Sequence, residues 1–429
     1  MKVAILGGGV TGVTLATLLD KKGVDWTLFE AAKRPGGLCG SEVIDGFTCD
    51  VSGGHIIFSK SKEVMDFFFE ALRDVGTHES KRKTFIWYHD RYVQYPFENG
   101  LADLPKDDNF QCLAGYVEAH VQKKLGAPEP ENFRDWCLWR FGRGICEKFM
   151  FPYNEKIWKV DLAELSTRWV RGRVPDAPVD DVLRSSIGIR TEGYVHQAKF
   201  WYPRRGGFEM IVTEQAKRLS PARLKVGTPV VRLARQGAAY LVNGERFDKV
   251  ISTIPLQELV KVLDGIPTEI RASFDRLGYT SLVSFFAAID EPARNDHSWI
   301  YFPHPENGPF NRVTHLSNYS PENAPPGKSS IMAEITYHGD IDAGPAFQAM
   351  IADKLAAAGL YDRKKLLWTR VWKNKYAYIL YRHDLEENLE LVKTWLAKAG
   401  IDILGRFGNY DYFNSDQCVK AVLDYGRGF

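Results

Sequence analysis

Apolar residues in this chain recur in two rhythms. Short aliphatic and β-branched runs, stopped by glycine or proline, alternate with longer stretches in which an apolar residue returns every three or four positions. The first run, Lys2 to Leu6, has the unbroken apolar character of a parallel strand buried on both faces. It passes directly into Gly7-Gly8-Gly9-Val10-Thr11-Gly12, and residues 13–19 then read as helix, closed by Lys21, Lys22 and Gly23. Residues 24–29 predict a second strand that ends on Glu30.

Residues 62–75 carry an amphipathic helical pattern, and residues 84–93 read as strands turning at His89-Asp90. Helix dominates from 101 to 188, with proline-rich breaks at 127–130 and 174–178. Residues 208–219 predict a helix. Residues 224–233, 239–242 and 249–254 predict strands of one small β unit, and residues 281–289, 298–303, 313–316 and 330–336 strands of a larger sheet. Helices at 345–358 and 386–400, a strand at 366–378 and a strand with a turn at 403–412 complete the pattern. No internal repeat interrupts it. The order predicts an α/β protein of interleaved parts. Residues 1–85, 203–280 and 385–429 form a discontinuous Rossmann-like cofactor domain, 100–200 a mostly helical insertion, and 86–99 with 281–384 a mixed-sheet substrate domain.

Composition narrows the function classes. A chain of 429 residues can bury two or three cores, and a net charge of +2 gives no footprint for nucleic acid. No apolar run reaches the length of a membrane span, so the expectation is a soluble cytoplasmic protein with no membrane partner, self-association being left open. Six cysteines without a C-x-x-C pair argue for buried free thiols and against a metal site. The 11 Trp and 19 Tyr are a heavy aromatic load, able to fill cores or to line a pocket for planar ligands.

The chemistry starts at the first turn. Gly7 permits the tight bend, Gly9 close approach of a pyrophosphate, Gly12 close helix packing, and Glu30 a hydrogen bond to a ribose hydroxyl. At this point NAD and FAD are equally served. Gly36 and Gly37 form a second cluster suited to a backbone hugging a long cofactor, and Gly53-Gly54-His55 could lie against a flat ring. Phe149 and Tyr153, four apart, share a helix face.

With Gly53 to Ser59, Tyr95-Pro96-Phe97, Phe149 to Trp158, Asn311-Arg312, Ser317 to Ser320 and Gly405-Arg406-Phe407-Gly408 in view, the chain resembles the flavoproteins of the amine oxidase and protoporphyrinogen oxidase superfamily. Within it the likeness is to the UDP-galactopyranose mutase family, eukaryotic type. That resemblance implies FAD, active when reduced by NAD(P)H or another reductant, and a nucleotide-diphosphate sugar as substrate. It implies pyranose–furanose interconversion through a reduced-FAD N5–sugar adduct; an FAD-dependent oxidoreductase acting on a small molecule is the alternative. It places Gly7, Gly9, Gly12, Glu30, Gly36, Gly37, Gly54, His55, Val230, Gly405 and Arg406 on the cofactor. Phe58, Tyr95, Phe97, Glu98, Phe149, Tyr153, Trp158, Gln197 and Tyr301 would surround the nucleotide and sugar. Arg173 and Arg312 would clamp the diphosphate, with Tyr319, Tyr378 and Tyr412 completing the ring of hydroxyls, and His55 would tune or move with the flavin. An arginine fork matches phosphate oxygens, and phenols can donate without titrating near neutral pH. Glu98 departs from the family's usual Gln and Gln197 from its usual Asn, and the loops are shorter than in typical eukaryotic members.

Overall fold

The apolar run Lys2–Leu6 is the middle strand of a five-stranded parallel sheet, flanked by Lys249–Ser252 and Asp25–Phe29, with Ile401–Ile403 and Leu224–Lys225 at the edges. Val3 to Leu6 are wholly buried, as a strand covered on both faces requires. This is the computed structural model of the protein, and it describes residues 1–170, 173–174, 177–191 and 198–429.

The first helix, Val10–Lys21, leaves the glycine turn and packs against a second one at the far end of the chain, Ser415–Gly426. Their contact is close enough that a Cβ on Gly426 would fall 1.8 Å from Leu18 Cδ2. The apolar pattern of residues 413–429 predicts no helix. The signal was present, because the Asn414 side chain and the third helical residue Gln417 form a reciprocal capping box.

The predicted small β unit is corrected by the structure. Lys249–Ser252 belongs to the central parallel sheet, while Leu233–Gln236, Ala239–Val242 and Glu245–Phe247 form a separate antiparallel sheet. The predicted strand at 224–233 is only Leu224–Lys225 before a turn. Gly227 at φ +63° bends the chain, and Pro229 has no N–H to donate to a ladder.

The second large sheet has seven strands, in the order Leu366–Ile379, Tyr279–Ile289, Ser329–Tyr337, Arg312–Thr314, Trp299–Tyr301, Thr84–Tyr88 and Arg91–Gln94. The hairpin at its edge turns at His89 and Asp90, both in the left-handed region (φ +43° and +62°). In this sheet Arg312 and Glu334 are direct cross-strand neighbours. The helical part, built on Lys106–Lys124, Phe133–Ile145, Phe151–Trp158 and Val179–Ser186, packs its own aromatic core against the edge of that sheet. All six cysteines are buried and unpaired, as the composition suggested. Among the described residues no helix is long and apolar enough to cross a membrane, and no cluster of ligating side chains could hold a metal.

Candidate active site

One cavity of about 1820 Å³ runs from the glycine turn at the end of Lys2–Leu6 to an aromatic chamber under the seven-stranded sheet. Single-ligand pockets are typically ~300–1,000 Å³. This space suits two ligands end to end.

The glycine turn forms one end. Gly7 sits at φ +102°, and a Cβ on Gly12 would lie 1.9 Å from the Gly7 carbonyl oxygen, so neither position tolerates a side chain. The helix that follows has no side-chain cap and no acidic residue in its first turn, leaving backbone N–H groups directed at an anion. Glu30 accepts from the amides of Gly8 (2.6 Å) and Ala32 (2.7 Å), which fixes its carboxylate beside the turn. Gly36 and Gly37 fold back on the same turn: Gly36 donates to the Gly8 carbonyl at 2.9 Å. At Gly9 the nearest atom to an added Cβ is Gly37 Cα, 3.9 Å away, so the backbone there borders open space.

Gly54, His55 and Arg406 also line the cavity. His55 stacks on Phe208, with ring centroids 5.1 Å apart. Beneath that stack, buried Asp50 accepts from Ser41 Oγ (2.6 Å), the Tyr202 hydroxyl (2.9 Å) and the Phe208 amide (3.1 Å). Burial pushes Asp50 up to about 6 against those three donors. Burial, reinforced by the charge of Arg312, pushes His55 down to about 4, so its imidazole is neutral at physiological pH. Arg406 donates to the carbonyls of Phe413 (2.8 Å) and Ala377 (2.9 Å). His55 Nδ1 and Arg406 Nε are buried without a partner among the described residues. The glycine turn would hold the diphosphate of a flavin dinucleotide, whose ring system offers polar atoms of the kind these groups lack; the residues present fit the group.

The far chamber is aromatic. A π-helical turn, Cys146–Met150, leads into Phe151–Trp158 and brings Phe149 onto Tyr153 with centroids 5.3 Å apart, nearly parallel. Phe97 stacks behind Phe149 at 5.1 Å. Tyr301 meets Tyr153 and Tyr95 edge-on or tilted at 5.2 and 5.1 Å, and Trp158 closes on Tyr378 and Tyr412. Burial holds the phenols of Tyr95, Tyr153, Tyr319 and Tyr378 above their ordinary range, so they stay protonated donors.

Two arginines complete it. Burial lowers Arg173, which rests over the Tyr412 ring and donates to Gln417 Oε1 at 3.4 Å. For Arg312, burial opposes the charge, yet the Glu334 carboxylate holds it well above the usual value. Arg312 Nη2 lies 2.6 Å from Glu334 Oε1 and 3.3 Å from the Gly54 carbonyl.

Gly7, Gly9, Glu30, Gly37, Gly54, His55, Phe58, Tyr95, Phe149, Tyr153, Trp158, Arg173, Tyr301, Arg312, Tyr319, Tyr378, Arg406 and Tyr412 all line this one cavity. Gly12, Gly36 and Gly405 support its walls; a Cβ on Gly405 would strike Thr11 Oγ1 at 2.5 Å. Phe97 is one layer back, and Val230 packs beside the small antiparallel sheet without reaching the lining. Glu98 is buried in the turn Phe97–Asn99, also away from the lining. Gln197 lies outside the described residues. Sequence reasoning missed Glu334, Asp50 and Asn374. Asn374 donates to the Val51 carbonyl at 2.7 Å and accepts from Ser52 Oγ at 2.8 Å, pinning the strand that leads to His55. An acidic residue inside an otherwise apolar strand was the available signal for Glu334; Asn374, between Lys373 and Lys375, gave none.

A parallel sheet carrying a dinucleotide turn, opening on a long cavity that His55 lines, is the frame of a flavoprotein. The chain belongs to the flavin containing amine oxidoreductase family, whose model matches residues 10–371, and its cofactor is FAD. Among solved structures it is similar to reduced UDP-galactopyranose mutase, with TM-score 0.89 and 29% identity over 100% of this chain and 95% of that one. A putative protoporphyrinogen oxidase from Exiguobacterium sp. 255-15 shares the fold at TM-score 0.75 and 17% identity, covering 100% of this chain and 98% of that one. The dTDP-fucopyranose mutase of Escherichia coli is 24% identical over 208 residues, 45% of this chain and 52% of that protein. The chain spans about half the length of the curated relatives it matches.

Proposed function

We propose that this protein is a flavin-dependent nucleotide-sugar mutase that interconverts the pyranose and furanose forms of a UDP- or dTDP-linked sugar. The observation that carries this reading is the continuity of one cavity from the glycine turn to Arg173, Arg312 and the protonated tyrosines. A flavin held at one end thereby faces a chamber equipped for a diphosphate and an aromatic base. The likeness to reduced UDP-galactopyranose mutase supports it, as does the partial match to dTDP-fucopyranose mutase.

When bound and reduced, FAD supplies the nucleophile for the anomeric carbon. The chain supplies position and charge. Tyr153, backed by Phe149, lines the chamber, and its ring face turned away from Phe149 is where a pyrimidine would stack. Arg173 and Arg312 come from separate elements and approach the chamber independently, so they can bind the diphosphate from two sides. As that group leaves the sugar its charge grows. Arginine and phenol donors already aimed at it stabilise it, each donor being worth ~3–4 kcal/mol in a water-poor site. Because the same donors keep the released diphosphate in place, its return to the sugar is effectively intramolecular. Neutral His55 lies against the flavin side of the cavity and, at a pKa near 4, holds no proton to deliver at neutral pH.

Incubating the protein reduced by dithionite or NADPH with UDP-, dTDP- and GDP-sugars tests the reading. Furanose products without net consumption of an electron acceptor are expected, and no products from the oxidised protein. Turnover that starts from oxidised FAD and consumes an acceptor would replace the mutase with an oxidoreductase.

A further inference from the structure

Glu334 is fully buried on the strand Ser329–Tyr337 and does not line the cavity. One of its oxygens, Oε1, gathers three donors: Arg312 Nε at 2.8 Å, Arg312 Nη2 at 2.6 Å and the Gly54 amide at 3.1 Å. Oε2 is buried with no partner among the described residues. The carboxylate also sits against the backbone of Gly53, where a Cβ would come within 3.1 Å of its Cδ. A carboxylate wholly out of water is unfavourable unless paired, and pairing it with a cation through a single oxygen is an unusual arrangement. It joins the arginine facing the chamber to the loop facing the flavin.

We propose that Glu334 is a positioning residue that fixes Arg312 and the Gly53-Gly54 backbone as one unit and balances the arginine's charge beside the flavin. The role of Arg312 as a diphosphate ligand rests on the mutase reading; the electrostatic link to the flavin does not. A bare guanidinium near the cofactor would favour its anionic reduced form. The carboxylate offsets that attraction, and its placement keeps the fork turned toward the chamber.

Two substitutions separate charge from reach. Glu334→Gln keeps the shape and an acceptor but removes the charge. Glu334→Asp keeps the charge but draws it back from the three donors. In the nucleotide-free holoprotein, Glu334→Gln is expected to shift the oxidised–reduced flavin equilibrium at least tenfold toward the reduced form, about 30 mV for a two-electron couple. Glu334→Asp should leave the potential near wild type and weaken UDP binding at least tenfold. An unchanged potential in Glu334→Gln, or unchanged UDP affinity in Glu334→Asp, would overturn the proposal and leave Glu334 as packing alone. Should wild-type protein fail to bind UDP, the mutase reading falls, and the potential of Glu334→Gln still decides the role of Glu334.

Discussion

The Arg173 guanidinium lies 4.2 Å from the centroid of the Tyr412 ring. Arg406 approaches the same ring to 4.3 Å, so one phenol holds two cations in a half-buried place. Each cation is stabilised by the ring face, and their mutual repulsion is relieved when an anion arrives. Tyr412→Ala is expected to weaken UDP binding by about tenfold, the weight of a partly desolvated cation–π contact of ~1–2 kcal/mol. Tyr412→Phe, which keeps the ring, should lose less. Isothermal titration of the two variants with UDP makes the comparison; equal losses would locate the effect in the hydroxyl.

Arg312→Ala should abolish turnover while FAD stays bound, because the glycine turn, at the other end of the cavity, is where the cofactor's diphosphate would sit. Flavin content after purification and furanose formation by the reduced variant check both halves. Loss of FAD would place that arginine on the cofactor.

At Gly12 an added methyl meets the Gly7 carbonyl oxygen at 1.9 Å. Gly12→Ala must therefore push the helix start away from the strand, and the variant is expected to purify with little flavin. Absorbance of released flavin per mole of protein measures this, and a full complement would contradict the geometry.

His55 titrates near 4 in the fold against 6.5 when exposed. Between those values the unfolded chain takes up a proton that the folded one refuses. The contribution of neutral His55 is thus fully present above 6.5 and lost as pH falls through that window toward 4. Asp50, pushed up to about 6, takes up a proton in the fold over much of the same window and offsets this loss, so the His55 contribution is read as a difference: denaturant midpoints of His55→Phe should be less acid-sensitive than those of wild type. The kcat/KM profile should show no limb from His55 between about pH 5 and 8.

Phe149 is clamped between Phe97 and Tyr153. Phe149→Ala is expected to destabilise the fold by ~3–5 kcal/mol, since a buried phenyl leaves a cavity behind. It should weaken nucleotide binding more than FAD retention. Thermal melts and UDP titration of the holoprotein separate the two effects.

Much of this was legible because it is written locally. The strand, glycine turn and helix of residues 2–21 follow from residue order, and so does the run that ends in Trp158. The three-way bond at Glu334 was not legible. It depends on the register that sets Arg312 opposite Glu334 and on a loop 280 residues earlier in the chain that supplies Gly54. The edge strand Ile401–Ile403 is three residues long, and its place in the parallel sheet comes from pairing with Lys249–Ser252 rather than from any pattern of its own. Val230 is a different case: its role came from likeness alone and concerns its backbone, while its side chain packs beside the small antiparallel sheet.

The helix Ser415–Gly426, docked on Val10–Lys21, has a consequence for synthesis. The nucleotide turn comes early in chain order, yet the strand Ile401–Ile403 and the helix Ser415–Gly426, which complete its sheet and cover its helix, come far later. Until those segments are made the glycine turn lacks its full sheet and its covering helix, so cofactor capture is expected to follow synthesis of residues 401–426.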